Sequence, residues 1–239
     1  MTSSEDKPKK SRQLKLDFPE SGLTLETLSV TPSNRTAIAT LKRWPDWRMP
    51  ALALVGGRKS GLTTAASAWA AYAGGELLSA KAFDKLSHKK LEKLAAGPIA
   101  IDLGQGVSNE DNLLSAINLS SRAGGSLLIT GNASPAQWRV KLPDLASRLK
   151  SMTLVELAPP DDEMVSIRLR RAMKQRFLKL PEGVETYLLI RIERSYLAIE
   201  TFVENLHEMI DGREVTIPLA RDVLDEMDGT RPLFEDEED

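Results

Sequence analysis

The feature of this 239-residue chain that most restricts its fold is a short apolar run followed by paired glycines. Ala51 to Val55 leads directly into Gly56-Gly57, and an alanine-rich segment from Thr63 to Tyr72 then ends at Gly74-Gly75. A continuous apolar run of this length is typical of a strand that is buried on both faces of a parallel sheet. The alanine-rich segment favours a helix that stops at glycine. The sequence therefore predicts a strand, a tight turn and a helix in succession.

The alternation of strands and helices continues to residue 157. We predict further strands at Glu76–Ser79, Pro98–Leu103, Ser126–Thr130 and Thr153–Leu157, with helices at Thr63–Tyr72, Ala80–Ala95 and Glu110–Arg122. Repeated strand and helix units indicate an α/β fold in which helices cover both faces of a parallel sheet.

The pattern changes at Pro159-Pro160, and the sequence beyond it predicts only helices. Their expected ranges are 161–177, 181–192, 195–210 and 218–227, opened by aspartate, proline or serine. Residues 1–12 are charged and lack periodicity, so we expect disorder there. The resulting division is a tail at 1–24, an α/β core at 25–158, a helical domain at 159–228 and an acidic tail at 229–239.

Composition excludes several classes of protein. The chain has no cysteine, which rules out disulfides and thiolate metal sites. It has no stretch of about 18 apolar residues and no signal-peptide core at its N-terminus, so we expect a cytoplasmic protein with no membrane partner. Its two histidines, His88 and His207, lie far apart and predict no metal site.

Charge gives only weak support for a nucleic-acid partner. The net charge is −2, whereas chains that neutralise phosphates are usually basic. A basic cluster from Arg168 to Lys179 is interpreted as a solvated helix face, and a DNA-binding role for it is kept as an alternative.

The turn after the first strand matches most of a phosphate-binding loop. Residues 56–63 have the spacing G-x-x-x-x-G-K-[ST], but Leu62 stands where lysine belongs. Glycines in such a loop let backbone N–H groups converge on phosphate oxygens, and the hydroxyl binds Mg²⁺. The candidate nucleotide-binding residues here are Gly56, Gly57, Lys59, Ser60, Gly61, Thr63 and Thr64. The alternative is a plain turn between strand and helix, for which paired glycines are common.

A second acidic element supports the loop interpretation. Asp102 ends a buried strand, where a carboxylate can hold water on Mg²⁺ beside such a loop. The next position, where a second carboxylate would orient the attacking water, is Leu103. We therefore expect ADP or ATP with Mg²⁺, or no cofactor, and no ATP hydrolysis. A weak ATPase in which Lys59 replaces the missing lysine is the alternative.

Further segments resemble the AAA+ regulators related to DnaA, of the Hda type, over residues 13 to 228. Residues 127–132 and 134–138 resemble the sensor 1 strand and the turn after it, and residues 142–149 resemble the arginine-finger motif. The resemblance implies a P-loop core followed by a helical lid.

Two arginines take roles from this resemblance. Arg148 is the implied arginine finger, presented to a nucleotide on a neighbouring AAA+ molecule, where its guanidinium would stabilise charge in phosphoryl transfer. An ordinary surface salt bridge is the alternative for this residue. Residues 191–196 resemble the sensor 2 region, which makes Arg194 the implied phosphate-facing arginine.

The N-terminal segment resembles the sliding-clamp-binding peptide of the same regulators. Gln13 would make hydrogen bonds while Leu14, Leu16 and Phe18 enter apolar pockets of the clamp. The period-two spacing of the three apolar residues also fits an amphipathic first strand.

The resemblance implies a regulator of bacterial replication initiation. Its implied partners are the DNA polymerase sliding clamp and the initiator DnaA, and a homo-oligomer is a further candidate. The function we predict is that of a clamp-tethered, non-hydrolysing partner of DnaA.

Overall fold

The computed structural model describes residues 24–104 and 106–229. Its centre is a five-stranded parallel sheet with the strand order β2-β3-β4-β1-β5. The strands are β1 Ala51–Val55, β2 Glu76–Ser79, β3 Pro98–Asp102, β4 Ser126–Gly131 and β5 Thr153–Glu156. The predicted α/β class with a parallel sheet is confirmed.

Strand β1 lies inside the sheet because its apolar residues are stabilised by burial on both faces. All five of its residues are buried, and it pairs in parallel with β4 on one side and β5 on the other. Parallel pairing brings the carboxyl ends of β1, β3 and β4 to the same edge of the sheet. That edge carries the loop after Val55 and the side chain of Asp102.

The core contains six α-helices in the part of the chain that the structure describes. They are α1 Arg35–Lys42, α2 Leu62–Ala73, α3 Ala80–Asp84, α4 His88–Ala95, α5 Glu110–Ala123 and α6 Pro143–Ser151. One apolar cluster joins α1 and α2 to one face of the sheet around Trp69. A second cluster joins the other four helices to the opposite face around Phe83 and Leu113. The two clusters form the expected layers on either side of the sheet.

The prediction of one helix over Ala80–Ala95 is wrong, because the chain breaks into α3 and α4. Ser87 has extended backbone angles, with φ −73° and ψ 151°. The side-chain amide of Asn112 donates to the carbonyl oxygens of Phe83 and Leu86, at 3.2 Å each. These bonds satisfy carbonyl groups near the end of α3, so the helix can stop there.

The C-terminal part consists of four helices with an apolar core of their own around Phe202. They are α7 Asp162–Gln175, α8 Glu182–Arg191, α9 Tyr196–Met209 and α10 Ile217–Gly229. The predicted helices are confirmed, with ends displaced by a few residues. Asp161 and Ser195 cap α7 and α9 by accepting from the amides of Met164 and Ala198. The four domain boundaries that we drew from the sequence stay predictions.

One side chain ties this helical part to the core. Asp161 also accepts a hydrogen bond from the backbone N–H of Ser33, at 2.9 Å, just before α1. Burial alone would raise the pKa of Asp161, but the hydrogen bonds from Met164 and Ser33 lower it below its ordinary value. No helix within residues 24–104 or 106–229 has the length and apolar content that crossing a membrane requires.

Candidate functional site

A cleft of about 590 Å³ opens at the carboxyl edge of the sheet, between the sheet and the helical part. Its walls come from four regions of the chain. The segment around Asn34 covers one side, the loop and first turn of α2 form the floor, Asp102 and Asn132 lie at the strand ends, and α7 with α9 closes the remaining side. Among the predicted loop residues, Lys59, Ser60, Gly61, Thr63 and Thr64 line the cleft.

The loop presents unused amide groups at the N-terminus of α2. Gly61 is the N-cap, with φ +91°, and no side chain caps the helix. In the described residues, no backbone carbonyl accepts from the amides of Gly61, Leu62 or Thr63. Free amides at the start of a helix, together with the helix dipole, favour a bound anion.

Ser60 places a buried hydroxyl inside the same loop. The residue is 3% exposed, and its Oγ has no hydrogen-bond partner in the described part of the chain. The space beside it requires glycine at position 56, since a Cβ there would lie 2.7 Å from Ser60 Oγ and 2.5 Å from the carbonyl oxygen of Leu157. A buried hydroxyl without a partner is costly, and a ligand oxygen in the loop would satisfy it.

Asp102 is held by hydroxyl groups from two sides. Thr63 Oγ1 donates to its Oδ2 at 2.6 Å, and Thr130 Oγ1 donates to its Oδ1 at 2.8 Å. The sequence-predicted pair of a loop hydroxyl and a strand-end carboxylate is therefore brought into contact. The role of Thr130 was missed, although its position at the end of the resembling sensor 1 strand was the available signal.

Leu62 and Leu103 stand where the motifs would have a lysine and a second carboxylate. Both are packed into the core. Leu62 is 8% exposed and belongs to the apolar cluster around Trp69. Leu103 is 4% exposed and belongs to the cluster around Phe83, on the opposite face of the sheet. Neither position supplies charge to the cleft. Their side chains instead contribute apolar contacts to the two layers.

The structure places Arg194 away from the cleft lining. Its guanidinium forms an ion pair with Asp162 and donates to the carbonyl oxygen of Leu189 at 3.3 Å. The phosphate-facing role of Arg194 stays a prediction that this arrangement does not support.

Helix α7 supplies two arginines to the cleft instead, Arg168 and Arg171. Arg168 pairs with Glu200 at 2.6 Å, and its guanidinium carbon lies 5.6 Å from the centre of the Tyr196 ring. The side chain of Arg168 is only 20% exposed, so the interpretation of its segment as a solvated face does not hold for this residue. Sequence reasoning missed it because its partners lie about 30 residues downstream on another helix.

Arg148 lies on α6 and is exposed. Within residues 24–104 and 106–229, its guanidinium has no ion-pair partner. An ordinary salt bridge inside this part of the chain is therefore absent. The arginine-finger role stays a prediction.

Two other predictions concern the N-terminal segment and metal binding. The predicted clamp-binding residues, Gln13, Leu14, Leu16 and Phe18, lie outside the described residues. In the described ranges, no group of three or more histidine, aspartate or glutamate side chains has a geometry that could hold a metal ion.

No protein-family profile matches the sequence. Solved structures do match the fold. Domain III of the Thermotoga maritima replication initiation protein DnaA superposes with a TM-score of 0.71 at 20% identity, covering 85% of this chain and 95% of that one. DnaA from Aquifex aeolicus bound to AMPPCP gives 0.69 at 17% identity, covering 89% and 72%.

A more distant match is the Walker-type ATPase of Pyrococcus abyssi, with a TM-score of 0.59 at 13% identity over 86% of this chain and 73% of that one. These similarities show that the chain has a DnaA-like AAA+ fold. At such low identity they show the fold alone.

Proposed function

We propose that this chain is a regulator of bacterial replication initiation that binds an adenine nucleotide without hydrolysing it. It would act as an AAA+-like partner of the initiator DnaA and would be tethered to the sliding clamp. The DnaA-like fold supports a place in replication, and AMPPCP, the ligand bound to the Aquifex aeolicus DnaA, supports an adenine nucleotide as the cofactor class.

The observation that carries this proposal is that the cleft contains groups suited to phosphate binding but lacks two groups that hydrolysis needs. Groups suited to phosphate and to Mg²⁺ are present: free amides at the start of α2 and the buried hydroxyl of Ser60 for phosphate, and the contact between Thr63 and Asp102 for Mg²⁺. The positions for the phosphate-neutralising lysine and the water-orienting carboxylate are Leu62 and Leu103, both buried in the core. Phosphoryl transfer depends on charge stabilisation and water positioning more than on binding, so such a site binds better than it hydrolyses.

Partner binding rests on residues outside the cleft. Arg148 is exposed and lacks an intrachain ion pair in the described residues, so its guanidinium is available to a nucleotide on a neighbouring molecule. The segment Gln13–Phe18 has the spacing of a clamp-binding peptide and would dock as an extended chain.

The alternative of a weak ATPase depends on Lys59. This residue lines the cleft and is exposed, but its backbone is in the left-handed region, with φ +66°, and lies before the first helical turn. ATP hydrolysis by the wild-type chain that is lost in Lys59→Ala would show that the chain is an ATPase that uses Lys59. Its absence at saturating Mg-ATP would remove this alternative.

The alternative of DNA binding through Arg168–Lys179 is less well supported. Three of its arginines are paired within the helical part: Arg168 with Glu200, Arg170 with Glu185 and Arg176 with Glu204. Paired arginines have less charge available for phosphates.

Calorimetric titration of the full chain with Mg-ADP and Mg-ATP tests the nucleotide part of the proposal. We expect dissociation constants in the micromolar range, about −8 kcal/mol at 1 µM, and no phosphate release over hours. An Asp102→Ala variant is the matched control and should lose the Mg²⁺ dependence of binding. Absence of heat and of any thermal shift at millimolar nucleotide would overturn nucleotide binding, and sustained phosphate release would overturn the non-hydrolysing role.

A further inference from the structure

The first turn of α2, at the floor of the cleft, lacks the lysine that would neutralise a bound polyphosphate. Leu62 replaces the loop lysine, and its side chain packs into the core. Amide groups can hold phosphate oxygens, but they do not neutralise a diphosphate or triphosphate fully. Lys59 lines the cleft but is exposed and starts before the first helical turn, so tight binding of such a ligand calls for a further cation from another element of the fold.

Besides Lys59 on the loop, helix α7 brings cations to this cleft. Arg168 and Arg171 both line it, and their spacing of three residues puts them on one face of the helix. Arg171 is exposed, whereas Arg168 is largely enclosed, with its Nε buried and lacking a hydrogen-bond partner in the described residues. Arg168 thus has hydrogen-bonding capacity that its ion pair leaves unused.

Tyr196 connects this arginine to the loop. Its ring lies under the Arg168 guanidinium, and a Cβ at Gly61 would be 3.1 Å from the Cε2 atom of the same ring. The backbone N–H of Tyr196 also donates to the carbonyl oxygen of Lys59 at 3.3 Å. The guanidinium is therefore supported on a ring that rests directly on the phosphate loop.

Glu200 is the residue that holds Arg168 in this position. Its carboxylate pairs with Arg168 at 2.6 Å and with Arg176 at 3.8 Å, and it also lines the cleft. A carboxylate in the cleft competes with phosphate for the same guanidinium and repels the ligand's charge.

We propose that Arg168 supplies, from α7, the positive charge that the loop lacks at Leu62, and that a bound nucleoside diphosphate or triphosphate replaces Glu200 as the partner of this arginine. This proposal rests on the nucleotide binding proposed above and specifies how the phosphates are recognised. The affinity for nucleotide then depends on how the helical part packs on the core, because Arg168 belongs to the helical part and the loop amides belong to the core.

Three variants of the full chain test the exchange by calorimetric titration with Mg-ADP. Arg168→Ala should weaken binding by about tenfold, which corresponds to about 1.4 kcal/mol. Glu200→Gln keeps the size of the side chain but removes its charge, so it should tighten binding severalfold. Lys174→Ala removes an exposed charge of the same helix outside the cleft lining and should change affinity by less than about twofold.

The sign of the Glu200→Gln effect separates this proposal from a purely structural ion pair. If the pair only stabilises the helical part, Glu200→Gln weakens binding or leaves it unchanged, and that result overturns the proposal even where Arg168→Ala fails to fold. Unchanged ADP affinity in a folded Arg168→Ala variant also overturns it. In both cases the wild-type chain still binds ADP, whereas failure of the wild-type chain to bind ADP overturns the proposed nucleotide function itself.

Discussion

Thr63 donates its hydroxyl hydrogen bond to Asp102 across 2.6 Å, and this bond fastens the first turn of α2 to the carboxyl end of β3. The other oxygen of Asp102 accepts from Thr130 on β4. Three elements of the core are therefore joined at the floor of the cleft.

Introducing the missing lysine should improve binding without creating an ATPase. In Leu62→Lys the aliphatic stem would occupy the space of Leu62 while the ammonium turns toward the cleft. We expect a lower free energy of unfolding, by about 1–3 kcal/mol, and tighter binding of Mg-ATP. Denaturant unfolding and calorimetry measure the two effects.

The control for that change is Leu62→Met, which keeps an apolar side chain of similar volume and should cost less than about 1.5 kcal/mol. Since Leu103 still offers no carboxylate for water, phosphate release should stay at background in both variants. Sustained release in Leu62→Lys would contradict the role assigned to position 103.

Arg148→Ala should leave the chain folded and its own nucleotide binding unchanged. The side chain is exposed and has no ion pair in the described residues, so its removal takes no contact from the core. We expect loss of any stimulation of ATP hydrolysis by DnaA, by about 10³-fold or more for an arginine finger. The assay is release of phosphate from DnaA-bound ATP, with Lys150→Ala on the same helix as control, and equal stimulation by both variants would remove Arg148 from this role.

The double change Leu16→Ala and Phe18→Ala should abolish binding to the sliding clamp. Alanine cannot fill the apolar pockets that an extended peptide would occupy, and loss of two such anchors typically costs more than about 2 kcal/mol. Surface plasmon resonance with immobilised clamp measures the effect, and Lys15→Ala plus Asp17→Ala serves as the control. Undiminished clamp affinity in the double variant would sink the tethering hypothesis.

Stability should fall in acid through Glu185 on α8. The hydrogen bonds from Arg170, followed by the one from Ser166, lower the pKa of this carboxyl below 4.5, although burial opposes the shift. Because the folded-state pKa is lowered, the carboxylate contributes stability above about pH 4.5, and that contribution is lost as the pH falls through the folded-state pKa. Urea unfolding of wild type should show this loss as the pH is lowered below about 4.5.

Glu185→Gln is the matched variant for that measurement. It should lower the urea midpoint at pH 7, where the charge pair with Arg170 is lost, and it should show a smaller change of midpoint with acid than wild type. An identical pH dependence in the two proteins would show that other carboxyl groups account for the acid sensitivity.

The strands and the helices of the helical part were predictable because the sequence patterns that indicate them are local. The apolar run Ala51–Val55, bounded by paired glycines, is typical of a strand in the interior of a sheet. Asp161 and Ser195 mark helix starts by their capping chemistry. The break between α3 and α4 was not predictable, because it depends on the side chain of Asn112 in a helix that follows later in the chain.

In the candidate site too, contacts that follow from local motifs were predictable and contacts that depend on distant packing were not. The contact of Thr63 with Asp102 follows from motif spacing, since both residues lie at the ends of elements that a parallel sheet brings together. The position of Arg168 depends on packing between α7 and α9, where Tyr196 and Glu200 fix its guanidinium. Tertiary contacts of this kind have no periodic signature in the sequence.

The burial of Leu62 and Leu103 in separate layers bears on how this protein can change over evolutionary time. In the proposed function, gain of ATP hydrolysis would require a charged residue at each position, and each would enter a different apolar cluster. Either substitution alone lowers stability before the other can contribute any catalysis, so selection for activity has no favourable first step. If the proposed function is correct, leucine at both positions restricts the chain to uses of the fold that need recognition only.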